Sequence, residues 1–220
     1  MKNALILLAG GTGKRFATAS KTKPKQFVKI GNNNFIEYFL GNLDEKIFDT
    51  IQIVVKKSLQ EKYLSNLKID FPKHHIKYVD AGKTRQESSK KGIYSLRKYC
   101  PKKVLIHDSA RPLASNKLIK RLLSSLDKYQ SCAPFITNND FIKYKSKKNI
   151  FKHNKILNIQ TPQAFRFKSI LKAHRFSKSF CEKDDTSLLE KIGIKTKFIK
   201  GEKFNLKITY LDDLDLFKKL

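Results

Sequence analysis

Apolar residues in this chain fall into short unbroken runs separated by stretches of helical spacing. Ala4 to Ala9 is one such run, bounded by glycines at positions 10, 11 and 13, the pattern of a strand buried on both faces. Ile51 to Val55, Ile76 to Val79 and Val104 to Ile106 repeat it. Between them, Phe35 to Leu43 has helical apolar spacing with Asn33 or Asn34 placed to cap it, and Lys56 to Leu67 reads as a charged helix. An amphipathic helix is predicted from the Lys83–Ser89 stretch to about Tyr99. Asn116 to Tyr129 gathers Leu118, Ile119, Leu122, Leu123 and Leu126 on one face. Strand and helix therefore alternate, which predicts a mainly parallel sheet covered on both faces.

The pattern changes after Asn138. Asn138 to Asn158 is polar and lysine-rich, with a short alternating piece at Phe141 to Lys145, and reads as a protruding β-hairpin or a disordered loop. Gln160-Thr161-Pro162-Gln163-Ala164-Phe165 leads into a helix from about Lys168 to Phe176. Asp184-Asp185-Thr186-Ser187 opens another, with acidic residues where the helix dipole favours them. Thr196 to Ile199 and Leu206 to Thr209 read as closing strands, and Leu211 to Leu220 as a last helix. The expectation is a single α/β domain over residues 1–220, a Rossmann-like sheet with helices on both faces and a β-arm at about 138–158.

Composition narrows the partners. Lysine and arginine number 47 against 19 acidic residues, a formal net charge of +28, but only seven are arginine and the lysines are spread along the chain. No finger, RNP-like or basic-zipper pattern accompanies the charge, so weak, salt-sensitive RNA binding and attraction of anionic substrates are what it implies. No apolar run approaches the ~20 residues of a membrane span, and the opening run is too short for a signal peptide, so a cytoplasmic protein is expected. Cys100, Cys132 and Cys181 have neither disulfide-framework nor metal-ligand spacing. His74, His75 and His174 are expected at the surface.

The chemistry concentrates at the ends of the predicted strands, where open parallel sheets bind ligands. Ala9, Gly10, Gly11, Thr12, Gly13, Lys14 and Arg15 follow the first strand, and Pro24-Lys25-Gln26 follows shortly after. Glycines let backbone N–H groups approach phosphate oxygens, and the cations add charge, a combination suited to a polyphosphate. The Walker pattern is excluded because Arg15 stands where Ser or Thr is required, and the dinucleotide pattern because Phe16 stands where its third glycine belongs. Asp108 follows a buried strand directly, a place for Mg²⁺ or for a turn-capping carboxylate. His107 reads as a packed histidine. Arg111 is suited to a phosphate or a surface ion pair, and Arg85 and Ser88 lie one helical turn apart.

The glycine stretch resembles that of the sugar-nucleotide pyrophosphorylases and cytidylyltransferases. The set Gly10 to Arg15, Pro24-Lys25-Gln26, Gly82 with Arg85 and Ser88, His107 to Pro112, Gln160 to Gln163, and Lys207-Ile208-Thr209 resembles the 2-C-methyl-D-erythritol 4-phosphate cytidylyltransferase family from end to end. The ribitol-5-phosphate cytidylyltransferases share much of it, but tend to have valine at the place of Ala110. The resemblance implies CMP transfer from CTP to methylerythritol phosphate, with pyrophosphate released. It implies that Ala9, Gly10, Gly11, Thr12, Gly13 and Lys14 wrap the CTP phosphates and that Gly82, Arg85, Ser88 and Ser109 hold the cytidine part. Arg15, Lys25 and Lys207 are the implied catalytic residues, Asp108 the Mg²⁺ ligand, and Arg111, Thr161 and His153 the acceptor contacts. It also implies a homodimer whose arms complete each other's sites. Three departures fall on the acceptor side: His153 for an arginine, Phe141 for a threonine in the arm, and Lys183 for a threonine before the acidic pair. A pentitol phosphate acceptor is therefore the alternative, and a non-catalytic nucleotide- or RNA-binding protein the alternative of another class.

Overall fold

The computed structural model of the chain describes residues 2–11, 16, 24–65, 67, 76–137, 156–177 and 182–218. The expectations for Thr12, Gly13, Lys14, Arg15, His74, His75, Cys181 and His153, and for the arm up to residue 155, lie outside these residues.

The opening apolar run forms β1 (Asn3–Leu8). A 3-10 turn at Lys25–Phe27 leads to a small antiparallel hairpin, β2 (Lys29–Ile30) and β3 (Asn33–Asn34). Asn34 then caps α1 (Phe35–Gly41). Its side chain accepts from the N–H groups of Ile36 and Glu37, while the Glu37 carboxylate accepts from the Asn34 N–H, a closed capping box. There follow β4 (Thr50–Val55), α2 (Lys57–Tyr63), β5 (Ile76–Asp80), α3 (Arg85–Ser95), β6 (Lys103–Asp108) and α4 (Asn116–Ser125). The second half adds β7 (Ser131–Thr137), β8 (Leu157–Ile159), β9 (Gln163–Arg166), α5 (Phe167–Phe176), α6 (Thr186–Glu190), β10 (Lys197–Lys200) and α7 (Leu211–Lys218).

Among the described residues, eight strands form one sheet in the order β10-β7-β9-β6-β1-β4-β5, with β8 paired to β7. The pairs β1–β4, β1–β6, β4–β5 and β7–β10 are parallel, and only β8 and β9 run against the rest. The chain winds outward from β1 through β4 to β5, then returns to β6 on the other side of β1. That reversal puts the switch point between β1 and β6, where ligands of such sheets sit. Leu5, Ile51 and Leu105 share one face and pack on α1 and α4; Ala4, Ile6, Val104 and Ile106 face the other way onto α3, α5 and α6. The two-period of the strands thus explains why their sequences are apolar throughout.

β7 and β9 escaped the sequence reading, because Ser131-Cys132-Ala133-Pro134 and Gln163-Ala164-Phe165-Arg166 are short and lack β-branched runs. In the other direction, Leu206 to Thr209 is not a strand. β10 already forms the sheet edge, and the later segment crosses the mouth instead, joined to the strand ends by Ile208 N–H donating to the Ala110 carbonyl. Phe16, Phe35, Ile208, Leu214 and Phe217 make a small apolar cluster that fastens this segment and α7 over the sheet.

Candidate active site

A cleft of about 400 Å³ opens at the switch point, lined among others by Gly10, Gly11, Lys25, Gly82, Arg85, Ser88, Asp108, Ser109 and Lys207. A broader open hollow of about 660 Å³ lies over α4 beside Lys117, Lys120 and Arg121. It lies away from the switch point, at the sheet edge where Ile199 of β10 lines it, and its Lys120 is already paired with Asp44 at 2.8 Å. The chemistry belongs to the cleft.

The glycine segment is held from below. Buried Gln26 donates both amide hydrogens, to Ala9 O at 2.7 Å and Gly11 O at 2.9 Å. Pro24-Lys25-Gln26 is therefore the strut of the loop. Gly10 passes so close to Ala81 that a Cβ there would stand 2.5 Å from the Ala81 Cβ. At the next strand end, the Ser88 hydroxyl accepts from Gly82 N–H and donates to Thr84 O, which closes the turn into α3. Ser88 shapes this turn, while Gly82 and Arg85 border the cleft beside it.

Asp108 stands at the end of β6 and splits its two oxygens. One accepts from Arg85 Nε at 3.2 Å, the other from Lys207 Nζ at 2.6 Å. Burial works against its charge, yet Arg85 and Lys207 hold the carboxyl far below the usual carboxylate range. Arg85 reaches Asp185 as well, at 2.7 Å through Nη1. Burial pushes the fully enclosed Asp185 up, but Arg85, then His174 and Ser89, bring it to about 2. Burial likewise opposes the Arg85 charge, and the two carboxylates more than restore it.

His107 points to the opposite face of the sheet and packs on Phe39 with the rings tilted and 4.7 Å between their centres. Its Nε2 lies 3.0 Å from Arg111 O, which fixes the proton there; Nδ1 then accepts from the Thr161 hydroxyl at 3.1 Å. That hydroxyl oxygen accepts in turn from Asp108 N–H. Burial lowers His107 to about 4, so it is a neutral strut, as its sequence context implies. Thr161 is turned inward, and Arg111 donates to Asn205 O at 2.8 Å; neither lines the cleft.

The segment that carries Lys207 is pinned by a buried amide pair. Asn205 Nδ2 donates to Thr161 O at 2.8 Å, and Gln160 Nε2 donates to Glu202 O. Lys25 Nζ donates to Ile208 O at 2.7 Å, which ties the glycine-loop strut to the same segment.

Several partners were not visible in the sequence. Asp185 looked like one of two equivalent helix-opening acids, yet Asp184 faces Thr186 and Ser187 while Asp185 faces the core. His174, expected at the surface, is fully buried, because α5 turns it against Ser89 and Asp185. Asn205 gave no signal. Lys56 lines the cleft and could have been found, since it directly follows a buried strand.

Among the described residues no three His, Cys, Asp or Glu side chains gather to hold a metal. A single ionised carboxylate beside a phosphate-suited loop nevertheless fits Mg²⁺, which keeps waters and takes most of its remaining ligands from substrate phosphates. Asp108, which lines the cleft with Lys207, is the carboxylate that would hold it.

A doubly wound sheet with a glycine loop, lysines and one ionised carboxylate at its switch point defines an α/β domain of the nucleotidyltransferase class. The family described as IspD: 2-C-methyl-D-erythritol 4-phosphate cytidylyltransferase matches residues 3–219. The chain belongs to that family. It is 34% identical over 218 residues to the 2-C-methyl-D-erythritol 4-phosphate cytidylyltransferase of Caldicellulosiruptor bescii, covering 97% of this chain and 95% of that one. It is 32% identical over 216 residues to the bifunctional enzyme IspD/IspF of Bartonella quintana, covering 95% of this chain but only 55% of the relative. The chain thus spans about half the length of the bifunctional relatives it matches. The crystal structure of 4-diphosphocytidyl-2C-methyl-D-erythritol synthase from Anaerococcus prevotii is similar with a TM-score of 0.82 and 27% identity, covering 99% of this chain and 97% of the other.

Proposed function

We propose that the chain transfers CMP from CTP to 2-C-methyl-D-erythritol 4-phosphate and releases pyrophosphate, a step of isoprenoid precursor synthesis. The observation that carries this reading is Asp108, ionised at the switch point beside Lys207, with Lys25 and the glycine loop bordering the same cleft. Family membership supplies the nucleotide and the acceptor. The acceptor's phosphate oxygen attacks the α-phosphorus of CTP in line, the bond to the β-phosphate oxygen breaks, and pyrophosphate leaves with that electron pair. No covalent nucleophile is needed. The protein's work is to screen two anions from each other and to stabilise the charge of the transition state.

In this reading, Ala9 to Lys14 cradle the CTP phosphates, and Gly82, Arg85, Ser88 and Ser109 form the nucleoside end. Arg15 and Lys25 stabilise charge on the α-phosphorus, and Lys207 places the acceptor. Arg111, Thr161 and His153 belong to the acceptor side, the first two by supporting the segment that bears Lys207. Mg²⁺ held by Asp108 would neutralise phosphate charge. The reading also includes a cytoplasmic homodimer built through the arm. Its support is the antiparallel ladder of β7 and β8, from Phe135 opposite Ile159 to Thr137 opposite Leu157, which brings the two ends of the arm segment side by side.

The test is pyrophosphate release by purified protein with Mg²⁺ and CTP, in three arms: methylerythritol 4-phosphate, ribitol 5-phosphate and no acceptor. Release with methylerythritol 4-phosphate alone is expected. Release with ribitol 5-phosphate alone would replace the acceptor, and silence in all arms from a folded, CTP-binding protein would remove the reading.

A further inference from the structure

We propose that Asp185, which does not itself line the cleft, is a positioning residue that anchors the Arg85 guanidinium through Nη1 and so holds its Nε on one oxygen of Asp108, with the other oxygen left to Lys207. The inference rests on the proposed cytidylyl transfer. Arg85 and Ser89 lie one turn apart on the same face of α3 and both reach Asp185. One Asp185 oxygen accepts from Ser89 Oγ at 2.6 Å, with His174 Nε2 at 3.5 Å, and the other accepts from Arg85 Nη1 at 2.7 Å. The Asp185 N–H donates to Gln163 Oε1 at 3.2 Å, so α3, α5 and β9 all fix this carboxylate. Its low proton affinity, held by Arg85 against full burial, keeps it charged throughout the working pH range.

The consequence lies at Arg85. A guanidinium fixed by one carboxylate presents its remaining N–H groups in a set direction, because its donors form a rigid planar fork. Here Nη1 is held by Asp185 and Nε donates to Asp108 Oδ1, while Nη2 makes no hydrogen bond among the described residues. Asp108 Oδ2 accepts from Lys207 Nζ, and both residues line the cleft. Released from Asp185, Arg85 would no longer be held in this orientation, and Asp108 would lose one of the two cations that fix its oxygens.

The experiment is a kinetic cycle of Asp185→Asn, Arg85→Gln and the double variant, with methylerythritol 4-phosphate and CTP. Asp185→Asn is expected to lower kcat by about tenfold to a hundredfold, the scale of a misplacement near 1 Å. The KM for CTP should move by less than about threefold, and the double variant should fall no lower than Arg85→Gln alone. Either an unchanged kcat in folded Asp185→Asn or losses that multiply in the double variant would overturn the proposal. Should Asp185→Asn not fold, Ser89→Ala loosens the same carboxylate and is expected to lower kcat in the same direction. A second readout needs no turnover. The Arg85 Nε–H signal in ¹⁵N NMR, assigned through Arg85→Lys, should exchange slowly and shift in Asp185→Asn. An unshifted signal would refute the clamp, whereas a wild-type chain silent with every acceptor would refute only the function.

Discussion

Replacing Gly10 by alanine tests whether the glycine loop depends on backbone contact rather than backbone freedom. Gly10 is not among the described glycines with positive φ, which are Gly31 and Gly193, so alanine meets no conformational penalty there. Its Cβ would stand 2.5 Å from the Ala81 Cβ. Carbon atoms pack at roughly 3.5–4.0 Å, so the two groups must part by at least about 1 Å. Overpacking of this kind costs about 1–3 kcal/mol, less the roughly 0.4–1 kcal/mol that alanine contributes by restricting the unfolded chain. A net loss of about 1–2 kcal/mol is expected in urea unfolding at pH 7. Moving the loop also strains the Gln26 bonds to Ala9 and Gly11, so pyrophosphate release should fall by about a hundredfold. Ala81→Gly removes the opposing methyl. In that background Gly10→Ala should cost almost nothing, a coupling of about 1–2 kcal/mol, and should recover much of the activity. A Gly10→Ala penalty that is the same in both backgrounds would refute the contact argument.

Other measurements follow from the same geometry. If Lys25 acts mainly in the transition state, as proposed, Lys25→Ala should lower kcat strongly while CTP affinity falls less; equal loss in both would move Lys25 to ground-state binding. Asn205→Ala should cost about 1–3 kcal/mol in urea unfolding by leaving the Thr161 carbonyl unpaired, and turnover should fall as Lys207 loses its anchor. His107 titrates near 4 when folded against 6.5 ordinarily. The unfolded chain therefore binds more protons between these values, so stability is full above pH 6.5 and is lost as pH falls toward 4, by at most about 1.4 kcal/mol per pH unit. His107→Gln should flatten that limb of a urea-stability profile, and an unchanged slope would place the charge elsewhere.

The sequence disclosed what depends on local pattern. β1, β4, β5 and β6 were legible because each is a buried apolar run, and the cap of α1 was legible to within one residue, as Asn33 or Asn34, of which the structure uses Asn34. The cleft followed, since strand ends in a parallel sheet converge. What stayed hidden was set by tertiary contact. β9 is a strand because β6 and β7 pair on both its edges, from Val104 opposite Phe165 to Ser131 opposite Phe165. His174 and Asp185 are polar residues in amphipathic stretches, and only the packing of α5 and α6 on α3 decides that they face inward. Leu206 to Thr209 has strand-like alternation, but the edge it would join is already occupied.

A chain with 47 basic residues needs no further positive charge to attract a nucleoside triphosphate; it needs to keep a few cations in one place. Long-range attraction is screened within about 8–10 Å at ordinary salt and does not distinguish one lysine from another. The cleft distinguishes them through groups that carry no positive charge. Asp108 selects Lys207, the Ile208 carbonyl takes Lys25, and Asp185 takes half of Arg85. The supporting residues, Gln26, Asn205 and Gln160, are neutral amides buried beneath those contacts. Such amides can accept and donate at once without adding to the charge, so they can brace a cationic site without competing for its ligand. On this argument, catalytic loss in this protein should track removal of the buried amides and carboxylates far more than removal of surface lysines, even though the lysines outnumber them.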